Sequence, residues 1–289
     1  MLGNLDNEVI FKKAFTNKFV LQCFVKDMFG IDFEPYKIET EKRFKPKIAH
    51  IDFKYDIFAQ SKDQRVIVEI QKVDYDYNFD RFLLYHNMAI AEMQRKSDEY
   101  KTDKTVYTIV VFTNKYTAKD KDGDAIEHDV LVHNSNLFTL DNQEVNLFGH
   151  KLICLNHCYL KNSTPKIYRD WMQLVVESIK NPANPHVNLG NHGIRKVTEL
   201  IEYDNLTPEE LSDNKIKNAT ASAKLIYEEF AKKEGLEQGL AKGLIVGKEQ
   251  GLLEGKLETA KNAILAGADD VFIEKITGLS FAQIQDLRK

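Results

Sequence analysis

Two alternating runs joined by a short polar turn lie between residues 50 and 71. In His50-Ile51-Asp52-Phe53-Lys54-Tyr55-Asp56-Ile57-Phe58, the odd positions are apolar or aromatic and the even positions up to 56 are polar. A period of two marks a strand with one buried face, because successive side chains of extended backbone point to opposite sides. Ser61-Lys62-Asp63-Gln64 comes next, and then Arg65-Val66-Ile67-Val68-Glu69-Ile70-Gln71. Here Val66, Val68 and Ile70 form one face, and Glu69 and Gln71 stand on the other. The pattern predicts a β-hairpin with Asp56, Glu69 and Gln71 on one face. A turn near residues 62 and 63 pairs positions whose numbers sum to about 125. Asp56 then sits opposite Glu69, and Lys54 opposite Gln71.

Opposed side chains on paired strands have Cβ atoms roughly 4.5–5.5 Å apart. Two carboxylates that close repel each other unless a cation lies between them. A hard divalent ion held by one or two carboxylates, with water and phosphate completing its shell, is how magnesium is commonly bound. The competing reading is a solvated pair of acids on an exposed strand face. Asp52 shares the polar face but lies about 13 Å from Asp56 at strand rise, so both cannot bind one ion. Asp56 is preferred for its fit to Glu69.

The surroundings add a family resemblance. Asp56, twelve intervening residues and then Glu69-Ile70-Gln71 resemble the PD-(D/E)XK nuclease superfamily. More narrowly, the chain resembles the Rpn-type recombination-promoting nucleases, the PD-(D/E)XK family transposases. Asn7-Glu8-Val9-Ile10-Phe11-Lys12-Lys13-Ala14-Phe15 is similar to that family's first-helix motif, and Arg81-Phe82-Leu83-Leu84-Tyr85 to its helix after the catalytic strands. The resemblance spans nearly the whole chain and is weakest between about 115 and 200. It implies an α/β fold with a PD-(D/E)XK restriction-endonuclease-like core, a mixed sheet flanked by helices, and a C-terminal helical region. It implies a metal-dependent DNA endonuclease linked to DNA recombination. Asp56 and Glu69 would bind Mg²⁺, with Mn²⁺ or another divalent cation as a substitute, together with the Ile70 carbonyl. Gln71 would orient the attacking water. Most of the superfamily carries Lys where Gln71 stands, whereas Gln is usual in the Rpn-type branch. Glutamine adds no charge, and Lys54, expected to face Gln71, could restore it. Glu8 could face the site and hold a water or second ion; it also fits a helix-start acid favoured by the dipole.

Charge does not argue for a general polyanion binder. The net charge is −4, where a protein living on DNA backbones usually has a basic footprint. Lys37, Lys42, Arg43, Lys45, Lys47 and Lys54 nevertheless cluster ahead of the acids and could contact phosphates. The 289 residues leave room for a catalytic domain and a smaller unit. No run of about 18 apolar residues marks a membrane span, and no leader resembles a secretion signal, so the cytoplasm is the expected compartment. The three cysteines fit a reducing environment. Cys154, His157 and Cys158 lack the second ligand cluster that a zinc site needs, and read as ordinary thiols on a strand.

Periodicity predicts a helix over 6–29, a strand over 33–42, the hairpin, a helix over 78–100 and a buried strand over 105–112. Further strands are expected near 128–133, 136–140 and 151–160, and a helix over 166–180. Asn181-Pro182-Ala183-Asn184-Pro185 breaks that helix. The expected organisation is a nuclease-like domain over 1–180, a linker and short helix over 181–206, and a helical tail over 207–289. Thr207-Pro208-Glu209-Glu210 opens the tail with a capping box. Within it Gly235, Gly239, Gly243, Gly247, Gly251 and Gly255 recur every four residues. Each glycine costs about 1 kcal/mol against alanine in a helix. A glycine stripe lets two helix backbones approach closely, so the tail is expected to pair, either with a second copy as a homo-oligomer or back onto the domain. A flexible tether is the competing reading. The last residues resemble a minimal helix-turn-helix with few groups to read bases, and are expected to act as a packing cap. The rival functions are a catalytically inactive DNA-binding module and a self-assembling interaction protein on the same fold.

Overall fold

The computed structural model describes residues 1–44, 53–72, 78–94 and 102–288. The chain divides into two units, Met1–Lys217 and Asn218–Lys289. The first is built on a mixed six-stranded sheet of order β1-β2-β3-β4-β8-β5. Its strands are β1 (Lys37–Phe44), β2 (Phe53–Gln60), β3 (Gln64–Gln71), β4 (Thr105–Phe112), β5 (Val130–Asn134) and β8 (Lys151–Asn156); β6 (Leu137–Phe138) and β7 (Glu144–Val145) form a separate two-stranded hairpin. β1, β2 and β3 run antiparallel in turn, β3, β4 and β8 are parallel, and β5 pairs antiparallel with β8.

Both faces of this sheet are covered. Ile57, Ala59, Val66, Val68, Ile109, Val111, Ile153 and Leu155 pack into one large cluster. Its helical side comes from α1 (Glu8–Phe15), α2 (Lys18–Phe29), α4 (Lys166–Lys180) and α5 (His192–Ile201). On the other face α3 (Asn78–Ala91) lays Phe82 and Ala89 against Phe58, Ile67, Val106 and Val110. A strand covered on both sides reads as a continuous apolar run, and this is why β4 falls where its sequence placed it.

Several expectations are corrected. The helix over 6–29 is two helices. Asn17 has extended backbone, and its side chain accepts from the Val20 amide to start α2, so α1 ends at Phe15. The strand over 33–42 is shifted to Lys37–Phe44. The strand over 151–160 ends at Asn156, whose side chain accepts from the Cys158 amide and opens a short 3-10 turn. The linker and short helix over 181–206 belong to the first unit: Gly193, Ile194, Val197, Thr198 and Ile201 of α5 are buried. His50, Ile51, Asp52, Lys45 and Lys47, and the end of the helix over 78–100, lie outside the described residues.

The helix α6 spans Pro208–Leu265. Its start is a reciprocal cap, with Glu210 N donating to Thr207 Oγ1 (3.2 Å) and Thr207 N to Glu210 Oε2 (2.7 Å). In the second unit, apart from the helix's own nearby backbone, nothing among the described residues lies within 4 Å of where a Cβ would stand at any of the six ladder glycines. Beside them Leu236, Leu240 and Leu244 are 65%, 66% and 77% exposed. After Gly267 come α7 (Asp270–Thr277) and α8 (Phe281–Leu287). They close a small core of Ile273, Leu279 and Ile284 on Ala260, with the capping box at Ser280 and Gln283 in place.

Candidate active site

The hairpin register is the one expected, with Ile57 paired to Val68 and Gln60 to Arg65. The ladder of paired residues stops at Ile57. Beyond it the carboxylates replace backbone acceptors: the Asp56 amide donates to Glu69 Oε1 (3.0 Å), and the Ile70 amide donates to Asp56 Oδ2 (3.1 Å). Each acid thus bonds the backbone of the other's strand. The two strands fork here, and both acids are fixed at the fork.

Strict alternation fails at the same point. Phe53 and Tyr55 pack with Phe58 and Ile67 on the α3 side, whereas Ile57 and Ala59 join the α1 and α2 side. The neighbouring strand is interrupted at the same level. Thr40 pairs with Ile57 and Lys42 with Tyr55, and the ladder leaves out Glu41 on one strand and Asp56 on the other. Glu41 has φ 57°, in the left-handed region, which costs a non-glycine residue about 1–2 kcal/mol. Strain of this kind clusters at functional sites. One face carrying all three polar residues is therefore not what forms. Glu69 and Gln71 continue the parity of Arg65, whose guanidinium reaches Ala89 O and Glu92 at the end of α3, while Asp56 meets Lys12 of α1.

The acids are shielded from water. Glu69 and Gln71 are buried, and the Asp56 side chain is 18% exposed. Burial raises the Asp56 pKa, opposed by the Ile70 amide and by Lys12. Glu69 is held well above the usual carboxylate range, first by burial and then by the charge of Asp56. Mutual repulsion in a dry place is the electrostatic condition that a bound cation relieves.

Around Asp56 the structure gathers more than the sequence suggested. Ligand oxygens of Glu8, Glu41 and Asp56 lie within 4.8 Å of one another, the one such three-residue group among the described residues. Glu69 is not in it; its Oε1 is engaged by the Asp56 amide. The Lys12 ammonium bonds Glu8 and Glu41 and lies 3.6 Å from Asp56 Oδ1. Three hard oxygen donors around a positive charge match the donor chemistry of Mg²⁺ or Mn²⁺, so these residues fit a divalent cation.

The expected charge partner of Gln71 is different. Lys54 pairs across to Arg43 of β1 and forms an ion pair with Glu41. It is Arg81 of α3 whose Nη1 stands 3.5 Å from Gln71 Oε1. Its guanidinium also packs over the rings of Phe82 and Tyr85 and draws on the charges of Glu69 and Asp56. Lys12, Glu41 and Arg81 thus stand beside the candidate acids and Gln71; Lys12 and Arg81 fall within the two helix motifs, with no role read for them there, and nothing in the sequence pattern marks Glu41. Lys12 is the most findable of them, one helical turn after Glu8 on the same face. The Ile70 carbonyl belongs to a residue whose amide is held by Asp56.

A family model described as PD-(D/E)XK nuclease family transposase matches residues 7–224. No curated protein matches the chain.

Proposed function

The chain belongs to the PD-(D/E)XK nuclease family transposases, and from that membership and the fork of acids we propose that it is a metal-dependent DNA endonuclease. Asp56 and Glu69, with the Ile70 carbonyl, are the residues that would hold Mg²⁺ or Mn²⁺, and Glu8 extends the acid set from α1. When bound, the ion supplies Lewis-acid charge at the scissile phosphate and makes a coordinated water more acidic. Gln71, steadied by Arg81, orients the attacking water through its amide. The water oxygen bonds to phosphorus, one P–O ester bond breaks, and the proton passes to the leaving oxygen. Arg81 adds fixed positive charge beside the Gln71 amide, where the phosphoryl oxygens gain negative charge.

The observation that carries this reading is the crossed bonding of Asp56 and Glu69. It holds two acids together at a strand fork despite their repulsion. DNA is the proposed substrate, and DNA recombination the setting that the family description suggests. A homo-oligomer through the glycine-ladder helix is proposed from its exposed leucines. A cytoplasmic location is proposed, supported by three unbridged thiols. Among the described residues no helix is long and apolar enough to cross a membrane.

Nicking of supercoiled plasmid with Mg²⁺ or Mn²⁺ tests the reading. Asp56→Ala and Glu69→Ala are each expected to abolish cutting while circular dichroism stays native. Full metal-dependent cleavage by either purified variant would defeat the assignment. DNA binding without any nicking by the wild-type chain would favour the inactive module instead.

A further inference from the structure

Lys12 occupies an unusual position for a helix lysine. α1 fixes its backbone through buried Ile10, Phe11, Ala14 and Phe15. Its side chain is 13% exposed, and the ammonium touches carboxylates from three separate elements: Glu8 of α1, Glu41 of β1 and Asp56 of β2. One of these, Glu41, adopts its strained backbone at the position facing this charge. Lys54 also pairs with Glu41, so two ammonium groups and three carboxylates interlock. Three carboxylates this close are costly without a cation among them, and the chain provides one of its own.

We propose that Lys12 is an internal counter-ion to Asp56 and Glu8, two acids of the proposed divalent-cation site, and must yield for the ion to bind, so that metal loading is an exchange of charges. This inference rests on the nuclease reading of the same site. An ammonium on a four-carbon stem can pivot away while its helix stays fixed. The acids would then be neutralised in the metal-free protein, and the released ammonium would stand at the mouth of the site, where a DNA phosphate is its natural next partner. Lys12 therefore lowers the affinity for metal in the absence of DNA. DNA, by giving Lys12 somewhere to go, raises it.

Two measurements on the full-length protein test this. The first is Mn²⁺ affinity by titration calorimetry for the wild type and Lys12→Met, with and without an uncleaved phosphorothioate duplex. The variant is expected to bind Mn²⁺ about tenfold more tightly than the wild type when DNA is absent. Added duplex, whose phosphate can join the ion's shell in both proteins, should tighten Mn²⁺ binding to the wild type by a larger factor than to the variant, and an equal factor in both would overturn the release of Lys12 to DNA. The second measurement needs no variant. The reactivity of Lys12 towards an amine-acylating reagent, read by mass spectrometry, should rise several-fold on saturation with Mn²⁺, with Lys13, bound to Glu210, as the internal reference. Equal or weaker Mn²⁺ binding by Lys12→Met, or unchanged Lys12 labelling in Mn²⁺-saturated wild type, would overturn the exchange. The nuclease reading would survive that result if Asp56→Ala still abolished cutting. Failure of both wild type and variant to bind Mn²⁺ would overturn the nuclease reading and the exchange together.

Discussion

Glu69 is where a charge is least comfortable in this protein. Its carboxyl is buried, accepts the Asp56 amide, and is held well above its ordinary pKa by burial and by Asp56. The folded state therefore holds this proton more tightly than the unfolded chain does. Stability from this group is present below the ordinary carboxylate pKa and is lost as pH rises through the elevated folded value. Glu69→Gln keeps an oxygen to accept the Asp56 amide and carries no charge. At neutral pH without metal it is expected to melt higher than the wild type, by about 2–4 °C for each kcal/mol recovered in a domain of this size. The difference should shrink towards pH 4, where the wild-type carboxyl is already protonated. Thermal melts across pH in the presence of a chelator check this, and a constant difference at every pH would contradict it. The placement of Asp56 against Glu69 was legible because turn length fixes hairpin register. The Glu8–Glu41–Asp56 group was not, since it depends on a left-handed residue in a neighbouring strand, and Glu is not a residue that advertises that conformation. Lys54 was misplaced for a related reason. Counting across the hairpin assumes the ladder continues, and here its pairs stop one residue short of the acids.

Among the elements, α5 shows how a polar-looking stretch can belong to a core. Its helix starts where Asn191 accepts from the Gly193 and Ile194 amides, and its second residue is Gly193. A Cβ there would stand 2.6 Å from Cys23 Cβ and 3.0 Å from Trp171 Cζ2. Trp171 is itself pinned, donating from Nε1 to Asp27 Oδ2 at 2.7 Å, so it has little freedom to retreat. Gly193→Ala is expected to destabilise the first unit by about 1–3 kcal/mol, the usual range for overpacking a filled core. Chemical denaturation would measure it, and a neutral result would mean that α2 and α5 can part without cost. The prolines and asparagines over 181–192 suggested a linker because loop composition carries no information about the packing of the next helix. The tight contact at Gly193 is a property of three elements brought together. β4 lies at the other extreme: eight apolar or β-branched residues in a row have few alternatives to a buried strand, and the element formed where expected.

At the scale of the whole molecule, the two units differ in how they use apolar surface. Met1–Lys217 encloses its sheet between helices, whereas Asn218–Lys289 leaves a long helix with exposed leucines beside glycines that meet no other element among the described residues. Exposed apolar stripes of this kind mark sites of association. A chain ending at Lys217 is expected to fold, to keep metal-dependent nicking and to run as a monomer in analytical ultracentrifugation, while the full chain self-associates. A monomeric full-length protein would leave the glycine ladder without a pairing role, and loss of nicking in the shortened chain would tie chemistry to the tail.

The fork between β2 and β3 has one more consequence. Where an ordinary sheet is sewn by amides and carbonyls, whose bonding is indifferent to pH, this seam is closed by two carboxylates. In the proposed reaction the same oxygens would also hold the cation. Protonation of either carboxylate would therefore weaken an acceptor in this seam, a sensitivity to pH that the amide-and-carbonyl ladder beside it does not have.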